Sequence, residues 1–240
     1  MKKLILISAL ALAFIACQDK TDKAREIVDK SIEAHGGAKY ENFTAEFDFR
    51  KFHVKLMQNE GKFQYERISK DSANNDIWDV VNNEGYLRLI NGNQITLSEK
   101  DQEKYKNAVN SVAYFVLLPY KLKDKAVNLE YLGEAEIEKQ KYDKIKVWFD
   151  KEGGGKDFED VYCYWFNQKT HLLDYLAYAN GGPRFRRVKN RQTVGGIVFQ
   201  DYENFAITDT TLKTHDYDKA FIAGKDSLLS LIEQKNIVVK

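Results

Sequence analysis

The sequence predicts a mainly β protein of the α+β class, with an N-terminal helix and one central apolar helix. Three observations predict it. Aromatic residues make up 13% of the chain, 14 of them Tyr and 14 Phe, and ring side chains fill pleated surfaces better than helix faces. From Thr44 onward the hydrophobic period is two over most of the length. Turn-forming groups such as Asn59-Glu60-Gly61, Asn91-Gly92 and Gly195-Gly196 cut that pattern into short segments.

The stretch from Asp157 to Tyr178 anchors the reading as two strands joined by a turn at Asn167 to Thr170. Side chains alternate along a strand, so Tyr162, Tyr164 and Phe166 share one face while Val161, Cys163 and Trp165 share the other. Both faces are apolar. A strand of this kind is covered on both sides, by a helix on one and by strands or an apolar ligand on the other.

The chain opens with Lys2 and Lys3, an apolar run from Leu4 to Ile15, and Ala16 before a cysteine. A basic start, a short apolar run and a small residue make Met1 to Ala16 a signal peptide, since about 20 apolar residues are needed to span a bilayer. Phe14-Ile15-Ala16-Cys17 resembles a bacterial lipobox, with Phe14 in the place usually held by Leu. That resemblance implies cleavage before Cys17 and a lipid on its thiol, with residues 17–23 as a polar tether. Gln18, where inner-membrane lipoproteins carry Asp, implies an outer-membrane lipoprotein, and Asp19 and Asp22 are faintly similar to surface-export tethers. The alternative is an ordinary secretory signal with a chance cysteine.

Without Lys2 and Lys3 the 37 basic residues fall to 35 against 36 acidic ones, a net charge of −1, so no basic field argues for nucleic acid. With Cys17 lipidated, Cys163 stands alone. Inside an apolar strand it reads as a small buried hydrophobe.

Asp22 to His35 has helical periodicity through Ala24, Ile27, Val28, Ser31 and Ile32, with Thr21 or Asp22 as cap and Gly36-Gly37 as stop. His35 in the last turn suits the helix dipole. A strand then runs on from Thr44 to the turn at Asn59-Glu60-Gly61, followed by strands at Lys62 to Ile68, Ile77 to Val81, Tyr86 to Ile90 and Gln94 to Leu97. Glu99 to Leu118 is the central helix, ended by Pro119. Its second half is apolar almost all round and must be covered by protein or lie as a lid over an apolar cavity.

Strands resume at Val127 to Leu132 and Lys141 to Asp150. Gly153-Gly154-Gly155 lacks the Lys-Ser/Thr sequel of a phosphate loop, and the acids Glu152, Asp157, Glu159 and Asp160 lack EF-hand spacing, so neither cofactor nor metal is expected. Arg184, Arg186, Arg187, Lys189 and Arg191 crowd one strand. Such charge belongs on a sheet edge or against an anionic ligand, and the edge is the expectation. Ile197 to Phe205 forms the last long strand, and a short helix is expected at Lys225 to Gln234.

The segments EAHGG ending at Gly37, WFNQKTHLL from Trp165 and GGIVFQDYENF from Gly195 together resemble Bacteroidota lipoproteins of unknown function whose fold is similar to the LolA/LolB lipoprotein carriers. The resemblance covers Ala24 to Ile207. It implies one domain over residues 24–240: a strongly curved antiparallel sheet, an incomplete β-barrel, whose apolar concave face is plugged by helices and binds acyl chains. No position here matches the protruding loop leucine of LolB.

Three function classes follow. The first is a membrane-anchored monomer that binds a lipid or other apolar molecule without catalysis. Its ligand would touch Phe47, Phe49, Tyr65, Tyr164, Trp165 and Tyr178 beneath a cover of Tyr114, Phe115 and Leu118. The second is a hydrolase using His171 or His53 with a neighbouring acid, though no G-x-S-x-G or H-E-x-x-H is present. The third is an accessory envelope lipoprotein whose open sheet edge accepts a partner strand.

Overall fold

The computed structural model describes residues 2–155 and 158–240, with side chains in the first helix from residue 19 onward. Two antiparallel seven-stranded sheets, neither closed on itself, carry about half of the chain. In chain order the elements are α1 (Lys2–His35), β1 (Asn42–Phe49), β2 (Phe52–Asn59), β3 (Lys62–Lys70), β4 (Asp76–Asn82), β5 (Gly85–Ile90), β6 (Asn93–Ile95) and α2 (Glu99–Val116). They continue with β7 (Val127–Ile137), β8 (Gln140–Phe149), β9 (Tyr162–Asn167), β10 (Leu173–Tyr178), β11 (Arg184–Val194), β12 (Ile197–Ile207), α3 (Tyr217–Ile222), β13 (Asp226–Ile232) and β14 (Gln234–Val239). One sheet has the order β14-β1-β2-β3-β4-β5-β6 and the other β13-β12-β11-β10-β9-β8-β7.

The chain forms two compact units. One holds most of α1 with Asp124–Arg187 and Phe205–Leu228, and the other holds His35–Lys123, Val188–Asn204 and Leu229–Lys240. In the first, the β9–β10 hairpin is central, as its two apolar faces predict. Tyr131, Ile145, Tyr164 and Leu176 are paired across β7 to β10 and therefore share a face, and Lys23 of α1 lies 3.8 Å over the Tyr131 ring. Ala24, Val28 and Ile32, the predicted inner stripe of that helix, are all buried. On the opposite face Trp165, Tyr175, Ala177 and Phe185 pack with Tyr217 and Ala220 of α3. Protein covers both sides of the hairpin. Its first strand begins at Tyr162, and Asp157, where the sequence pattern opens it, lies outside the described residues.

In the second unit α2 packs on β3, β4 and β5. Ser98 caps it, its Oγ accepting from the Asp101 backbone N–H. At the end of α1, Gly36 has φ 147° and a Cβ there would meet the Gly196 carbonyl at 3.0 Å, so this approach calls for glycine at position 36.

Four expectations are corrected. The first helix does not start at a Thr21 or Asp22 cap but runs on from Lys2, because the Leu- and Ala-rich segment before it holds no Gly or Pro to interrupt it. The segment from Thr44 to the Asn59 turn is two strands, folded at Arg50, whose φ of 58° gives no glycine or asparagine signal. The arginine-rich β11 lies inside its sheet between β10 and β12 and not at an edge. Three of its arginines have hydrogen-bond partners in the protein: Arg186 donates to Tyr178 Oη at 2.6 Å, Arg187 to Glu138 at 2.9 Å and Arg191 to Gln200 at 2.8 Å. Finally, Lys225 to Gln234 is not helical, because β13 pairs with β12 and sheet pairing overrides the helical propensity of its leucines.

Candidate functional site

Alternation along β1 to β5 turns one face of the first sheet towards α2. Pairing places Phe47 beside Val54, Ala45 beside Leu56 and Leu56 beside Tyr65, so these residues share that face. All five are buried. The Phe115 ring of α2 sits 6.2 Å from Phe49 and 5.1 Å from Tyr202, and Phe47 is 6.3 Å from Phe199. Ring pairs at these separations add to simple area burial.

The same face carries charge towards β5. Asp79, 2% exposed, is directly paired with Arg67 on β3 and Arg88 on β5. Its Oδ1 accepts from Arg88 Nε at 2.7 Å and from Tyr86 Oη at 2.7 Å. Its Oδ2 accepts from Arg88 Nη2 at 2.9 Å and from Arg67 Nη2 at 3.0 Å. Burial alone raises the Asp79 pKa, but these charged donors outweigh it and hold the carboxyl below its ordinary value. Tyr105 of α2 covers Arg88, with ring centroid and guanidinium 3.4 Å apart, and Phe52 lies 4.6 Å from the Arg67 guanidinium. The face is therefore amphipathic: rings at one end, an ion network at the other, and α2 across both.

The structure gathers six of the nine residues predicted to contact a ligand into this unit. Phe47, Phe49 and Tyr65 lie on the sheet, while Tyr114 and Phe115 of α2 and the following Leu118 belong to its cover. Tyr164, Trp165 and Tyr178 belong to the other unit. There Tyr164 and Trp165 point to opposite faces of β9 and both are buried. Trp165 Nε1 donates to Asp218 Oδ2 at 3.2 Å. Tyr178, half-buried, accepts from Arg186. Cys163 is buried in the same core, and burial pushes its thiol pKa up, which keeps it inert. The side chain of Cys17 lies outside the described residues.

Sequence reading missed Arg67, Asp79, Tyr86 and Arg88. A signal existed, because Arg67 falls in phase with Phe63 and Tyr65 along one strand, where an outward charge belongs in the other phase. The two histidines named for hydrolysis belong to different units. His53 Nδ1 is 3.0 Å from Asp48 Oδ1, but the pair is exposed and its further partners are Glu46 and Asn236. His171 lines a surface groove of about 700 Å³ with Glu26, Asp29, Lys30, Glu33 and Ala34.

Among solved structures the chain is similar to a LolA superfamily protein from Nitrosomonas europaea, at 9% identity over 90% of this chain and 92% of that one, with a TM-score of 0.49. It is also similar to a domain described as outer membrane lipoprotein-sorting from Vibrio parahaemolyticus, at 10% identity over 84% and 99% of the two chains, with a TM-score of 0.45. A DUF1329 family protein from Desulfovibrio piger matches at 7% identity over 91% and 92%, with a TM-score of 0.42. No curated protein matches. A family model does match, over residues 2–234, and the chain belongs to that family, the family of unknown function DUF6503.

Proposed function

We propose that this chain is a lipid-anchored envelope protein that binds an apolar ligand on the α2-covered face of its first sheet, without catalysis. The observation that carries this reading is the assembly of Phe47, Phe49, Tyr65 and Phe115 on one face beneath a helix that is itself apolar towards its C-terminal end. α2 fills that face in the closed form described here, so a ligand enters as α2 lifts and its side chains are exchanged for those of the ligand. The anchor is a lipid on Cys17 after removal of residues 1–16, the tether is residues 17–23, and the location is the outer membrane. The sequence around Cys17 and Gln18 supports those assignments.

Native mass spectrometry of the purified chain, followed by organic extraction of what co-purifies, tests the binding. A bound apolar molecule is expected, with faster hydrogen exchange in Val109 to Val116 once it is stripped. A clean apo mass together with no uptake of a fluorescent fatty-acid probe would overturn the proposal. One observation favours the partner-binding alternative: Leu228, Leu229 and Leu231 are exposed on β13, the terminal strand of its sheet.

A further inference from the structure

We infer that the ligand of the α2-covered face is a single-chain amphiphile with a negatively charged head group, and that Arg67 receives that head. This rests on the reading of the face as an apolar binding site and names the class of molecule it takes.

The charge balance of the network leads to it. Arg67 and Arg88 are both about nine-tenths buried, with side-chain exposures of 12% and 11%, and among the described residues they share one carboxylate, that of Asp79. Arginine stays protonated in proteins, so the network holds one uncompensated positive charge. Asp79 has no capacity left for it. Four donors already occupy its two oxygens, and Arg88 takes the bidentate position with Nε and Nη2. Arg67 reaches the same carboxylate through Nη2 alone.

Arg67 Nε is buried with no hydrogen-bond partner. A buried donor left unpaired is costly, and on a guanidinium the cost is greater than on a neutral amide. An anionic oxygen at that nitrogen would supply the acceptor and cancel the surplus charge together. Position favours a head group over a free ion. Arg67 follows Tyr65 on the same face of β3 and is paired with Val54 on β2, whose neighbour across the sheet is Phe47. An alkyl chain lying along these apolar residues would end at the guanidinium. Tyr105 of α2 lies over the neighbouring Arg88, and Phe115 lies beside Phe49 at the tail.

Oleate, oleyl alcohol and acetate serve as probes for calorimetric titration of the purified full chain. Oleate is expected to bind roughly tenfold more tightly than oleyl alcohol, the increment of one charge-assisted hydrogen bond, with acetate far weaker than either. In Arg67→Gln the two oleyl ligands should bind alike, and in Arg67→Lys, which keeps the charge, oleate should keep most of its advantage. Equal binding of oleate and oleyl alcohol to the unaltered chain would overturn the anionic head while leaving the apolar site standing. Acetate as tight as oleate would overturn the amphiphile in favour of a free small anion. No binding of either oleyl ligand would remove the binding reading itself, and with it this inference.

Discussion

Among the described residues each unit buries an ion network, and the two differ in balance. In the first, Lys144 Nζ of β8 lies 3.4 Å from Asp218 Oδ2 of α3 and donates to the His215 carbonyl at 2.9 Å, while Asp218 also accepts from Trp165 Nε1 and from the Lys219 backbone N–H. One cation meets one anion, and both have further hydrogen-bond partners. That network pins α3 to the sheet with its charges balanced. The Arg67–Asp79–Arg88 network has two cations for one anion and an empty donor on Arg67. Buried charge in the first case specifies packing, and in the second it leaves a vacancy of defined sign.

Removing the carboxylate from each network separates the two cases most strongly. Asp218→Asn strands Lys144 at a site where its side chain is 10% exposed, and Asp79→Asn strands two guanidiniums. Each should cost about 3–5 kcal/mol in denaturant unfolding, the usual penalty for breaking a buried pair from one side. Saturating oleate should restore part of the loss in Asp79→Asn and none in Asp218→Asn. Equal rescue of both, or of neither, would erase the distinction between pin and vacancy.

The sequence exposed the two networks unequally. The apolar two-faced hairpin at Tyr162 to Tyr178 was legible because alternation holds through Cys163, Tyr164, Trp165 and Phe166, and both faces proved to be covered. Its ligand reading was not separable from a core reading, since apolar rings look the same against α1, against α3 or against a lipid. The turns at Glu60-Gly61 and Asn91-Gly92 were legible from residue chemistry, as their positive φ values show. The turn at Arg50 was not, because tertiary pairing of β1 with β2 imposes a left-handed φ on a residue with no preference for it. The crowded arginines of β11 drew attention as a surplus of charge, yet their partners Glu138, Tyr178 and Gln200 come from three other segments. The surplus that persists lies in Arg67 and Arg88, two isolated letters more than twenty residues apart that only strand register brings to one carboxylate.

Acid gives a gentler handle on the unbalanced network. The folded-state pKa of Asp79 lies below the ordinary carboxylate value, so its stabilisation is complete above the unfolded value of about 3.9 and is lost as pH falls through the lower folded value. Urea midpoints should therefore drop more steeply below about pH 4 in the unaltered chain than in Asp79→Asn, where that group no longer titrates. A Tyr86→Phe chain should show a weaker version of the acid response, because the phenol is one of the donors that hold the carboxyl charged.

The smallest perturbation leaves both networks intact and acts on the cover alone. Ser98 Oγ accepts from Asp101 N–H at 3.2 Å and donates to Asp101 Oδ2 at 2.9 Å, closing the first turn of α2 on the exposed side. Ser98→Ala should weaken that helix by about 1 kcal/mol, raising the population of its opened form roughly fivefold. If opening of α2 admits the ligand, oleate should associate faster with Ser98→Ala while amide exchange in the β9–β10 hairpin stays unchanged, because no ligand enters there. Faster exchange along α2 without faster association would show that the ligand reaches Arg67 by a route that leaves the helix in place. The head-group assignment would then stand on the charge balance alone, and the cover would be a fixed wall of the site and not its door.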